Sequence, residues 1–183
     1  MTKTVLVILL SAMIVAGGII SFKYGIVSVW DLSFTLGLFV AAPIITLRDV
    51  IQENKVRVQG FIGTLLAFFI LLQYTDDTLW ASAVAVAVTW TLLFDGILYT
   101  WFRRFGWVPA MIVSDCVAQA MSPIFFYYLY EGGWAVPDGQ ILLRYLTLFA
   151  VYGIILSTGW LDRFMKVPRF IDVPREKWFK YYD

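Results

Sequence analysis

Residues 79–104 read LWASAVAVAVTWTLLFDGILYTWFRR. Between Leu79 and Phe102 the run carries one charge, Asp95, and it then meets Arg103 and Arg104. A hydrocarbon core of about 30 Å takes about 20 apolar residues as a helix, so the run is long enough to cross a bilayer. An aspartate in the middle of such a run is costly and needs a reason. Phe105 and Gly106 complete a tight basic turn. A second apolar run then begins at Trp107 and contains its own aspartate, Asp115. The stretch therefore predicts two antiparallel membrane helices, each with a carboxylate inside.

The same pattern extends along the chain. Six stretches have the required character: residues 4–22, 27–47, 58–74, 79–102, 107–130 and 141–160. The third is short, and the fourth and fifth are long enough to tilt. Turn formers separate them, among them Gly25, Gly132-Gly133 and Pro137-Asp138-Gly139. Charged residues make up 15% of the chain, where a soluble domain carries about 25%, so the apolar surface has no soluble home. The first run follows a lysine, as a signal peptide would. It lacks a small-residue cleavage site, and the expectation is a retained helix.

The expected fold class is all-α: a polytopic membrane protein with six transmembrane helices and both termini cytoplasmic. Residues 1–161 form the transmembrane domain and residues 162–183 a cytoplasmic tail. Basic residues set the orientation. With the N-terminus inside, the inner segments hold Lys3, Arg48, Lys55, Arg57, Arg103, Arg104, Arg163, Lys166, Arg169, Arg175, Lys177 and Lys180, and the outer ones only Lys23 and Arg144. The expected location is the cytoplasmic (inner) membrane. In the tail, Trp178, Phe179, Tyr181 and Tyr182 stand beside bases and suit the headgroup level or a short tail packed on the bundle.

Composition removes much chemistry. There is no histidine and one cysteine, Cys116. No disulfide can form within the chain, and Cys/His metal sites and histidine-based triads lack their parts. No P-loop is present. A net charge of +1 gives no reason to expect nucleic acid. The expectation is a non-enzyme without cofactor.

The polar residues inside the spans are the candidates. Asp95 lies eight residues before Arg103, and Asp115 eight after Trp107. At 1.5 Å per residue, both sit about 12 Å from the same end. In one shared cavity they invite a proton or a sodium ion between them. The other arrangement gives each its own hydrogen bond to Ser, Thr or Gln on a neighbouring helix. Asp49 and Glu53 share a face at i, i+4, next to Arg48 and Lys55, and read as an ordinary solvated helix end or as a reach toward a solute. Pro43 and Pro123 each free a helical carbonyl, which at membrane depth suits a polar cavity. Gln119 precedes Pro123 by one turn. Phe125, Phe126, Tyr127 and Tyr128 offer flat faces to a planar ring, whereas Trp80, Trp101, Trp107, Trp134 and Trp160 fall where an interfacial belt would.

Three places resemble the queuosine precursor transporter family, small six-helix proteins also grouped as vitamin uptake transporters. Pro43-Ile44-Ile45-Thr46 running into Asp49 and then Glu53 resembles the family's Pro-hydrophobic-Thr stretch with its Asp and Glu. Phe94-Asp95-Gly96 followed by Arg103-Arg104 resembles its fourth-helix aspartate and basic turn. Ser114-Asp115 followed by Gln119 resembles its fifth-helix Ser-Asn segment. The chain departs from the family where Asp115 replaces the usual Asn and where Asn54-Lys55 replaces Tyr-Gly. The resemblance implies import of a 7-deazaguanine such as preQ0 or preQ1.

The expected substrate-binding residues are Asp49, Glu53, Asp95, Asp115, Gln119 and Phe126. The carboxylates and the amide would hold the solute's edge, and the aromatic ring its face. The expected partners are a small-molecule solute and the lipid bilayer, with a homo-oligomer or an ATPase partner left open. Two other readings stand beside a self-sufficient transporter: the substrate-binding membrane subunit of an ATPase-driven vitamin importer, and a non-transporting subunit of a membrane complex.

Overall fold

The computed structural model describes residues 3–54, 57–165 and 168–171. Six helices dominate the described residues: α1 (Lys3–Tyr24), α2 (Leu38–Glu53), α3 (Arg57–Tyr74), α4 (Thr78–Phe102), α5 (Trp107–Glu131) and α6 (Asp138–Thr158). Four of them, α1, α4, α5 and α6, are long and apolar enough to cross a membrane. The expected tail aromatics Trp178, Phe179, Tyr181 and Tyr182 lie outside the described residues, as do Lys55, Lys166, Arg175, Lys177 and Lys180.

The second expected span, residues 27–47, is corrected. Its first part is not helix but an antiparallel hairpin, β1 (Ile26–Val29) and β2 (Leu32–Thr35), paired from Ile26↔Thr35 to Val29↔Leu32. Trp30 and Asp31 form its two-residue turn, and Trp30 takes φ 54°, the left-handed conformation such turns demand. Ser28 and Ser33 face each other at 2.9 Å across the strands. The physical reason is local: β-branched residues broken by Ser and Asp suit a ladder better than a helix. Consequently α2 is only 16 residues long.

Helix ends follow their residues. Asp77 caps α4, its carboxylate accepting the Trp80 N–H at 2.8 Å. It also accepts the Tyr130 hydroxyl at 2.9 Å, which ties α4 to α5. The first N–H groups of α5 are satisfied by the chain beyond α6. Trp107 N–H donates to the Pro168 carbonyl and Val108 N–H to that of Arg169, while Ile171 N–H returns a bond to Phe105. Only glycine fits the turn there: Gly106 has φ 110°, and a Cβ would lie 2.3 Å from the Arg169 carbonyl oxygen. On the other side of the bundle, Gln140 pins the hairpin to α6 by accepting the Thr35 N–H at 2.7 Å.

α2 is the centre of the bundle and touches each of the other five helices. Its last half is buried on nearly every side, including the polar Thr46, Asp49, Gln52 and Glu53. The outer surface is the reverse. Ile8, Leu66, Phe69, Ile97, Leu146 and Ile154 are exposed, while Asp49, Asp95, Asp115 and Gln119 are 0% exposed. A soluble fold places its side chains the other way round. Contiguous exposed apolar surface on this scale marks contact with lipid or with other protein. α3 shares the pattern, exposing Phe61, Ile62, Leu65, Leu66, Phe69 and Ile70.

Candidate functional site

Three helices each deliver one carboxylate to the same place. α4 buries Ala87, Thr91, Asp95 and Tyr99, a four-residue rhythm that keeps them on one stripe. α2 buries Thr46, Asp49 and Glu53, spaced for a single face. α5 buries Ser114, Asp115, Ala118 and Gln119. One oxygen from each of Asp49, Asp95 and Asp115 lies within 4.8 Å of the others. The equal depth of Asp95 and Asp115 is thus joined by equal facing, and Asp49 completes the group.

Arg48 is the cation of this cluster. Its Nη1 lies 2.7 Å from Asp49 Oδ1 and 2.8 Å from Asp95 Oδ2. Its Nη2 donates to the Leu92 carbonyl at 3.1 Å. A missing side chain makes this possible, because a Cβ on Gly96 would stand 2.1 Å from that Nη2. Asp115 is held separately. Tyr152 on α6 donates its hydroxyl to Oδ2 through a short bond, and Ser114 donates to Oδ1 at 3.3 Å. Asp49 Oδ2, both Asp95 oxygens and the Thr46 hydroxyl are buried without a hydrogen-bond donor or acceptor aligned on them. The Asp95 contact to Arg48 is therefore one of charge and distance, not of an aimed N–H.

One guanidinium faces three carboxylates. Buried ions need a partner, and removing charge from water costs several kcal/mol per ion even after relaxation. One oxygen of each carboxylate is close enough to the others for the three to share protons or to ligate one cation such as sodium. Carboxylate and hydroxyl oxygens are the donor set that hard cations choose.

Two polar layers lie on either side. Toward the Arg103 turn, which we term the basic end, Glu53 is clamped by Arg103 through a close two-oxygen ion pair. It also accepts the Tyr99 hydroxyl at 3.1 Å. Gln52 beside it donates to Thr100 at 2.8 Å. Glu53, expected to touch solute, thus stands in a closed set of partners one layer below the cluster.

Toward the hairpin end is a cavity of about 130 Å³. Its walls include Thr35, Trp80, Thr91, Phe126, Tyr127 and Arg144, and Leu92 and Ile45 bring it to the level of Arg48. Phe126 lies on this wall, stacked on Tyr130 at 5.5 Å and edge-on to Trp80 at 6.2 Å. Gln119 is buried near it and accepts Arg144 Nη1 at 3.4 Å. A second recess, about 660 Å³ and mostly apolar, opens between α1, α3 and α4 and also reaches Arg48.

Sequence reasoning missed Arg48, Tyr152 and Arg144 as site residues, and it offered Tyr127 only as an aromatic face. Arg144 was counted with the outer loops, but it sits on α6 and lines the cavity. The helix begins at Asp138, earlier than the hydrophobic run at Ile141 suggests. The available signal was a lone base inside an apolar run, in register with the buried Leu148, Tyr152 and Ile155.

Comparison with protein-family models, with curated proteins and with solved structures finds no match to this chain.

Proposed function

We propose that this protein is a multi-pass membrane transporter for a small, planar, hydrogen-bonding solute. All six helices cross the bilayer in this reading, with both termini on the cytoplasmic side and the hairpin outside. The observation that carries it is the meeting of Asp49, Asp95, Asp115 and Arg48 at the centre of a bundle whose surface is apolar. A charge at the middle of a membrane helix costs about 2.5–3.5 kcal/mol on insertion scales. A chain that carries four of them together uses them. Carboxylates that exchange protons or a cation couple naturally to a gradient, and the adjoining cavity offers a solute both polar groups and the face of Phe126.

The substrate follows from the resemblance noted in the sequence: a 7-deazaguanine such as preQ0 or preQ1, in the cytoplasmic membrane of a cell that imports it. The test is nutritional. Cells unable to make deazaguanines express the chain, are fed preQ0 or preQ1, and their transfer RNA is assayed for the modified base. Rescue that disappears with Asp95→Asn, at equal membrane abundance, supports the reading. No rescue by protein shown to be in the membrane removes the substrate.

A further inference from the structure

The cavity at the hairpin end holds a cation that the carboxylate cluster does not use. Arg144 lines it from α6, and among the described residues no carboxylate lies at ion-pair distance from its guanidinium. Its Nε is buried without a hydrogen-bond partner, and its Nη1 has only the long 3.4 Å contact to Gln119. Across the same cavity, the Tyr127 hydroxyl is buried at 2% exposure and also has no partner. Two residues that line one cavity, one of them charged, therefore each keep a buried polar group without a partner, the Arg144 Nε and the Tyr127 hydroxyl. A buried donor left unmade costs about 1–3 kcal/mol, and more when charged. An acceptor from outside the chain, a water or a solute, completes such a site.

The fork of a guanidinium selects what fits. It presents parallel N–H groups in a plane and matches a carboxylate, or donates to the oxo oxygen of a heterocycle's edge. The neighbouring walls are flat and aromatic, from Trp80, Phe126 and Tyr127. We infer that Arg144 and Tyr127 form an acceptor-binding subsite, which receives a planar solute by its carboxylate or oxo edge before the solute meets the acidic cluster. The inference rests on reading the cavity as the path of the solute. It gives the two ends of that path opposite charge: the Arg144 cation near the hairpin and the carboxylate cluster beyond Leu92.

Equilibrium binding to the full chain in detergent micelles tests it with radiolabelled benzoate, hypoxanthine, benzamidine and inorganic phosphate. Benzoate carries a planar carboxylate, hypoxanthine a neutral oxo edge, benzamidine donors only, and phosphate an anion without a ring. The expected result is saturable binding of benzoate or hypoxanthine, with the better of the two telling anion from neutral acceptor, and no benzamidine binding that depends on Arg144. Arg144→Gln weakens that binding at least tenfold, and Arg144→Lys less. Gln119→Glu, which supplies an internal counter-ion beside Arg144, abolishes it and serves where Arg144→Gln does not fold. Benzamidine binding that Arg144→Gln weakens, phosphate as tight as either ring compound, no saturable binding of either ring compound, or an unchanged affinity in Gln119→Glu each overturns the subsite. Vesicle uptake separates this from the transport reading. Arg144-dependent binding without uptake keeps the subsite and removes transport, while uptake indifferent to Arg144→Gln does the reverse.

Discussion

Arg48 on α2 approaches Asp95 on α4 at 2.8 Å, and neither Asp95 oxygen has a hydrogen-bond donor aligned on it. The pair is close without being locked. Arg48 is itself held by Asp49 and the Leu92 carbonyl, and a separate ion pair of the bundle, the two-oxygen contact of Arg103 with Glu53, lies at the basic end.

Removing the cation tests the centre. Arg48→Gln leaves three carboxylates without their guanidinium, and breaking one side of a buried pair costs about 3–5 kcal/mol. Thermal unfolding in micelles should fall sharply, and adding Asp95→Asn to the same chain should recover part of the loss. A double variant no more stable than Arg48→Gln alone would show that the two charges do not interact.

Gly96→Ala should behave against helix propensity. In an exposed helix the change is worth about 1 kcal/mol of stabilisation. Here the new methyl would lie 2.1 Å from Arg48 Nη2, so the guanidinium must shift, and the Nη2 bond to the Leu92 carbonyl is the contact it disturbs first. Uptake should fall to the level of Arg48→Gln, and stability should drop instead of rising. Ordinary uptake with raised stability would show that Arg48 works from another position.

Tyr152→Phe removes the hydroxyl that α6 donates to Asp115. Hydrogen bonds to charged groups contribute about 1.5–3 kcal/mol, and the lost donor leaves a buried oxygen bare. The variant should reach the membrane in normal amount with uptake reduced severalfold. Asp115→Asn in the same background should cause little further loss of stability. Independent losses from the two changes, measured as a double-mutant cycle, would contradict the contact.

Outside the spans, Asp77 gives a pH-dependent contribution. The Trp80 N–H and then the Tyr130 hydroxyl hold its carboxyl below the usual value. A lowered folded value means that the stabilisation is complete above the unfolded value of about 4 and is lost as pH falls through the folded one. Unfolding of wild type and Asp77→Asn should therefore differ by a constant amount from about pH 8 to pH 5, and the gap should close below about pH 4. A gap that widens in acid would reverse the sign. The effect should be small, because the group is exposed to solvent screening.

How far the sequence could be read depended on which physical constraint was local. Asp95 and Asp115 were placed at one depth because a four-residue turn ties two antiparallel helices together, and depth along a helix is a matter of counting. Whether they face each other depends on helix rotation, which packing decides. Asp49 was harder still. Beside Arg48 and Lys55 it reads as a solvated helix end, yet it is 0% exposed because α2 runs through the middle of the bundle. The hairpin was hidden by hydropathy, since Ile26, Val27 and Val29 are as apolar as a helix needs. Ser28, Asp31 and Ser33 carried the opposing signal at a spacing of two or three residues.

The shortness of α2 has a further consequence. Sixteen residues rise about 24 Å, less than the roughly 30 Å of a hydrocarbon core. The helix at the axis of the bundle therefore stops early, and a strand pair takes over where its missing turns would have been. Thr35, Gly37 and Ala41, at the junction of strand and helix, line the cavity at this end. The two ends of the bundle are thus unequal: one holds a cavity beside the hairpin, and the other is tied by the ion pair of Glu53 with Arg103.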